Sequence, residues 1–137
     1  MSTLAYALMQ ISLVTTAGGA QPYDVAYKTA QETGRPLVVL VGADWCPGCQ
    51  TMKQSVIPQL QRRGTLSSVA FTAINYDQDE RLAGRLMSGQ SIPQLIVYVK
   101  TDEGWRRSQM TGPKSPEEVE AFITHASNRP IARLGQR

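Results

Sequence analysis

Two cysteines are all that this 137-residue chain contains, too few for the disulfide framework on which small secreted scaffolds depend. The core, not the sulfur, must stabilise the fold. There is one histidine, so Cys46, Cys49 and His125 fall a ligand short of a closed four-coordinate zinc site unless two copies share one. No apolar run reaches the roughly 20 residues of a membrane-spanning helix. The Leu4 to Ala17 stretch is interrupted by Gln10, Ser12, Thr15 and Thr16. Charged residues make up 18% of the chain and the net charge is only +3. No basic stripe interleaved with aromatics is present, which removes the usual footprint of a nucleic-acid partner. No internal repeat or low-complexity tract appears.

What is present is a hydrophobic fraction of 42%, enough for one globular core in a chain too short for two ordinary domains. Leu4 to Ala17 has the length of a signal-peptide h-region, and Gly18-Gly19-Ala20 supplies small residues at a cleavage position. A secretory n-region carries Lys or Arg, however, and the first positive charge here is Lys28. The expected organisation is a leader or signal segment over 1–21, one domain over 22–128 and a flexible basic tail over 129–137 that holds Arg129, Arg133 and Arg137.

Hydrophobic spacing predicts a helix over Pro22 to Thr33, with Tyr23, Ala26, Tyr27 and Ala30 on one face and Gly34 as its stop. A strand follows over 37–43, opened by the run Leu37-Val38-Val39-Leu40-Val41. A second helix is expected from Pro47 to about Arg62, carrying Met52, Val56 and Leu60, with Pro58 kinking it or ending it early. Val69 to Tyr76 reads as a strand and 79–88 as a helix with Leu82, Leu86 and Met87 inward. Leu95 to Lys100 is β-branched and apolar, as suits a central strand. Thr101-Asp102-Glu103-Gly104 should turn it back into Trp105 to Met110. Ser115-Pro116-Glu117-Glu118 is a helix start with the spacing of a capping box, followed by the stripe Val119, Phe122, Ile123 and Ala126. The alternation implies an α/β fold with a parallel strand pair and an antiparallel hairpin on one side.

The chemistry concentrates at Cys46-Pro47-Gly48-Cys49, set between the first strand and the second helix. Only thiols exchange electrons as a reversible disulfide, and a cysteine opening a helix meets free backbone N–H groups that stabilise a thiolate. A purely structural bridge is the bland alternative, but one that closes so short a loop constrains the unfolded chain little. Trp105 is expected to pack in the hairpin, Tyr6, Tyr23 and Tyr27 to pack on leader and helix, and Arg62-Arg63 and Arg106-Arg107 to be solvated charges. His125 reads as a surface residue near a helix end. The acidic run Asp77-Gln78-Asp79-Glu80 suits a helix start and needs no metal.

Trp45-Cys46-Pro47-Gly48-Cys49 after the first main strand, with Ile92-Pro93 before a later one, resembles the thioredoxin superfamily over about residues 22–128. The Gly34-Arg35-Pro36-Leu37 approach and Gly42-Ala43-Asp44-Trp45-Cys46 are similar to exported thioredoxin-like domains, among them the C-terminal domain of a membrane electron-transfer reductase family. The resemblance implies a thioredoxin-like fold, a central mixed β-sheet flanked by helices. It implies Cys46 as an exposed attacking thiol, Cys49 as a buried resolving thiol and Pro93 as a cis-proline against the disulfide. Ile92 would offer backbone hydrogen bonds to a substrate strand and Gly112 would line the rim of the groove. With Trp45, Pro47 and Gly48 beside the first cysteine, these make the expected substrate-binding set. The implied activity is thiol–disulfide exchange on protein disulfides or dithiols by a monomer with a separate redox partner. The redox-active Cys46–Cys49 disulfide would serve with no metal or organic cofactor.

Reduction or electron relay is the expected direction, because Pro47 and Gly48 put no charge between the thiols. A disulfide oxidase or isomerase of exported proteins, and a non-catalytic binding module, are the alternatives. The resemblance also favours an extracytoplasmic location over a cytoplasmic one. Three departures stand out. Leu40 and Ala73 occupy the positions of the family's buried aspartate and its lysine, and Pro-Gly replaces Gly-Pro. Proton transfer at Cys49 must then use water or another group, with Asp44 and Asp77 as candidates.

Overall fold

The computed structural model describes residues 19–128. The leader reading falls outside this range except for 19–21, and Tyr6 and the basic tail lie wholly outside it. The elements are α1 (Tyr23–Thr33), β1 (Leu37–Gly42), α2 (Pro47–Thr51), a π turn (Met52–Val56), α3 (Ile57–Arg62), a short 3₁₀ turn (Thr65–Ser68), β2 (Ala70–Asn75), α4 (Glu80–Leu86), β3 (Gln94–Thr101), β4 (Gly104–Thr111) and α5 (Pro116–Asn128). The strands form one mixed sheet in the order β2-β1-β3-β4. β1 runs parallel to β2, while β3 is antiparallel to both β1 and β4. This is the expected α/β architecture.

β1 is apolar throughout because both of its faces are covered. Val38 and Leu40 point into a core shared with Met52, Val56, Leu60, Phe71, Leu95, Val97, Val119 and Ile123. Leu37, Val39 and Val41 join Ala26, Ala30, Ala70, Ala83, Leu86 and Ile96 on the opposite face. The period of two along a strand thus divides one hydrophobic run between two layers of helices.

Several expectations are corrected. The helix does not end early at Pro58: α2, the π turn and α3 continue through 47–62, Pro58 lies within α3, and the distortion expected of the proline is the π turn just before it. The Ile57 N–H bonds to the Met52 carbonyl, five residues back. This wide turn, placed one residue before the proline, absorbs a ring that would otherwise collide with the preceding turn. It also turns Ile57 inward beside Val56. In α4 Leu86 is buried and Leu82 packs against the same core, as does Met87 just past the helix end, but the most buried residue is Ala83, which the spacing did not single out. Trp105 does not pack within the hairpin alone; its ring lies 5.8 Å from that of Tyr27 on α1.

Of the four arginines expected to be solvated charges, Arg62 is exposed as expected, but Arg63, Arg106 and Arg107 are engaged. Arg106 donates to the Ala126 carbonyl at 2.6 Å and Arg107 to the Leu86 carbonyl at 2.8 Å, so adjacent residues of β4 satisfy the ends of α5 and α4. Arg63 pairs with Glu117 and Glu120 across the surface between α3 and α5.

The start of α5 forms as its sequence dictates. The Glu118 N–H donates to Ser115 Oγ at 3.2 Å, and Glu118 Oε2 accepts the Ser115 N–H at 2.9 Å. That backbone hydrogen bond holds the Glu118 carboxyl below the usual carboxylate range. A lowered folded pKa means the stabilisation is complete above the ordinary glutamate value and is lost as pH falls through the lowered one. A carbon-detected NMR titration should therefore give Glu118 a midpoint below that of an unperturbed glutamate, with the Ser115 amide shift following it. In the core, Leu60 is fully buried, and Leu60→Ala should cost about 2–5 kcal/mol in urea unfolding with little change in slope.

Candidate active site

β1 delivers the chain to the site and then brings it close. A Cβ built at Gly42 would lie 3.0 Å from Cys49 Cβ and 3.1 Å from Cys49 Sγ. Only glycine lets the end of the strand approach the helix so nearly. The Cys46 N–H bonds back to Ala43 O at 3.2 Å, closing the turn between them. Cys46 then caps the helix in extended conformation, with φ −94° and ψ 114°, and Pro47 takes the first helical position, where its missing N–H costs nothing.

Cys46 and Cys49 form a disulfide with Cα atoms 5.2 Å apart. The Cys49 N–H donates to Cys46 Sγ at 3.2 Å. Cys46 Sγ also lies 3.8 Å from the Ile92 carbonyl oxygen, a contact that becomes a hydrogen bond only when the sulfur carries a proton. The expected contrast between an exposed and a buried sulfur is absent in this oxidised state. Cys46 is 7% exposed and Cys49 6%, with Cys49 against Gly42 and Cys46 Sγ beside the proline loop.

The Ile92–Pro93 peptide is cis. Pro93 is buried and its carbonyl accepts the Gly112 N–H at 2.9 Å, tying the rim residue to the proline loop. A Cβ at Gly48 would meet Pro113 Cγ and Cδ at 3.2 Å and Pro93 Cδ at 3.4 Å. The departure to Pro-Gly thus has a steric cause, since Pro113 already fills the space above the second residue between the cysteines. Ile92, Pro93, Gly48 and Gly112 therefore converge on the disulfide. Pro47 stands exposed at the helix start. Trp45, 69% exposed, extends over the surface, with its indole N–H donated to Asp77 Oδ2 at 2.8 Å.

Asp77 is thus a tether for Trp45. It does not line the cleft beside Cys49, whereas Asp44 does. Leu40 and Ala73 sit directly opposite each other across β1 and β2, and both border that cleft. Sequence reasoning missed Gly42 and Pro113, although a glycine ending a buried strand is a recognisable sign of close backbone approach. It also missed Gln94. This fully buried side chain donates to the Ser88 carbonyl at 2.9 Å and to the Gly89 carbonyl at 3.3 Å, and accepts the Ser88 N–H at 3.2 Å. It anchors the loop that leads to the cis-proline.

Among the described residues, no cluster of three or more His, Cys, Asp and Glu could hold a metal. No described helix is long and apolar enough to cross a membrane. Gly42→Ala should destabilise the oxidised protein by about 1–3 kcal/mol through overpacking against Cys49. Gly84→Ala, with no atom within 4 Å of the added methyl, should stabilise by up to about 1 kcal/mol. Parallel urea titrations of the two variants check both.

Residues 20–100 match the model of the thioredoxin-like family. Solved structures share the fold. A thioredoxin from Thermus thermophilus has a TM-score of 0.66 at 24% identity, over 81% of this chain and 88% of that one. Trxlp from Edwardsiella tarda has a TM-score of 0.60 at 27% identity, over 77% and 98%. Trichomonas vaginalis thioredoxin has a TM-score of 0.60 at 20% identity, over 77% and 92%. No curated protein matches the chain significantly. A family match over more than half of the sequence, carried on this fold with a bonded Cys-X-X-Cys pair at the start of a helix, makes the chain a member of the thioredoxin-like family with the machinery of thiol–disulfide exchange.

Proposed function

We propose that this protein reduces or relays electron pairs to protein disulfides, with Cys46 as the attacking thiol and Cys49 as the resolving thiol. The observation that carries the reading is the hydrogen bond from the Cys49 N–H to Cys46 Sγ at 3.2 Å. Such a bond strengthens when the sulfur ionises, which lowers the thiol pKa and supplies thiolate at working pH. The Cys46 thiolate attacks one sulfur of the substrate disulfide and the other sulfur departs as thiolate. Cys49 then attacks Cys46 and releases the second substrate sulfur.

The recessed sulfurs favour an extended substrate segment. Such a strand would lie between Trp45 and Gly112 and bond to the main chain of Ile92, in the manner of strand addition. Pro47 and Gly48 are uncharged, so nothing between the cysteines stabilises the thiolate strongly enough to make the pair a powerful oxidant. Likeness to exported domains supports an extracytoplasmic location, with the cytoplasm as alternative. A non-catalytic binding module is the competing reading, favoured by the apolar pair Leu40 and Ala73.

Disulfide reduction of insulin with a dithiol as electron source separates the two. The parent should be active and Cys46→Ser should fall to the uncatalysed rate. Reduced Cys49→Ser, mixed with insulin after the dithiol is removed, should stop after one event with a substrate adduct on Cys46, visible as added mass. A parent without activity, or one whose activity survives both substitutions, would leave only the binding module.

A further inference from the structure

A cleft of about 270 Å³ opens beside Cys49, on the flank of the helix facing β2. Its lining comes from β1, β2, the loop after each strand and the helix, with no residue of the Ile92–Pro93 loop. It is therefore a second approach to the site, separate from the face on which the proline loop lies. Its volume exceeds several times the roughly 30 Å³ share of a liquid water molecule, and its polar lining includes Gln50, Asn75 and Gln78.

The ionisable groups lining this cleft, besides Cys49, are two. β1 and β2 supply none, since Leu40, Gly42, Ala73, Ile74 and Asn75 are all uncharged. The loop after β1 supplies Asp44, whose carbonyl accepts from Gln50 Nε2 at 2.8 Å. The helix supplies Lys53. Across the helix, the residues packed on Gly48 between the cysteines are Pro93 and Pro113, which do not titrate. Lys53 follows Cys49 by one turn, on the same helix face, and long helical side chains lean back toward the N-terminus. It is exposed, and it makes no hydrogen bond or ion pair with any described residue, Asp44 included.

We propose that Lys53 is a positioning residue for the resolving thiol: its ammonium, facing the cleft, stabilises the Cys49 thiolate while water in the cleft takes the proton. The proposal rests on the redox reading above and deepens it. In the step itself, the Cys49 thiol gives its proton to cleft water and its sulfur attacks Cys46 Sγ in the mixed disulfide. The Cys46–Cys49 bond forms and the bond from Cys46 to the substrate sulfur breaks. That sulfur leaves with the electron pair and is protonated from solvent. The dithiol has lost two electrons and the substrate disulfide has gained two. A cation one turn away lets charge stabilisation assist the ionisation where the strands offer no acid to receive the proton.

The test is an equilibrium titration that does not depend on turnover, so it is separable from failure of the reductase reading. In the full chain carrying Cys46→Ser, the ultraviolet absorbance of the Cys49 thiolate is followed against pH at low salt. Adding Lys53→Gln should raise the midpoint by roughly 0.5–1 pH unit, as expected for a partly screened charge. Lys53→Arg should restore the parent midpoint, and added salt should narrow the difference. Matching circular dichroism and unfolding curves would show that the exposed substitution leaves the fold intact. A midpoint unmoved by Lys53→Gln, one not restored by Lys53→Arg, or one that responds only to Asp44→Asn overturns the proposal.

Discussion

The close approach of Gly42 to Cys49 is the constraint around which the rest of the site is arranged. A buried central strand ends against the first turn of a helix with no side chain between them. The cysteine pair is thereby fixed to a central strand of the sheet, β1, which is hydrogen-bonded to β2 on one side and β3 on the other. Helix α2 cannot withdraw without opening that contact, and it cannot move closer. The N-cap geometry of Cys46 follows from this position, and with it the N–H directed at its sulfur.

The opposite side of the site is fixed by different means. Gln94, in the first position of β3, holds the carbonyls of Ser88 and Gly89, and Gln109 of β4 adds a bond to Ser88. A loop that would otherwise be free is thus held from below, and it presents the cis-proline to the disulfide. Pro113 reaches over Gly48 from the turn after β4. Two prolines therefore cover a glycine, and the order of the residues between the cysteines is a packing consequence of the neighbouring turn. A change at either end of this contact calls for a compensating change at the other.

Much of this was legible in the sequence because the signals were local. The apolar run at 37–41, the capping box at Ser115 and Glu118, and the Cys-X-X-Cys spacing each encode their structure within a few residues. What was not legible depends on contacts across the fold. Pro58 reads as a kink or an early end of the helix, and only the structure shows the π turn that lets the helix run on past it. Arg106 and Arg107 read as solvent charges until two helix ends are found beside them. Gln94 reads as an ordinary polar strand residue, since only the tertiary structure supplies the carbonyls that satisfy it. Asp77 looked like a proton carrier on sequence grounds, but its oxygen is committed to the Trp45 indole.

The proposed function requires Cys46 and Cys49 to be a reversible couple poised to give electrons, with no charged residue between them to make the pair strongly oxidising. Equilibrating the protein in glutathione buffers of known ratio and quantifying the dithiol and disulfide forms measures this directly. A potential near the thioredoxin value of about −270 mV is expected of such a donor, and one approaching the roughly −120 mV of strongly oxidising relatives would rule it out.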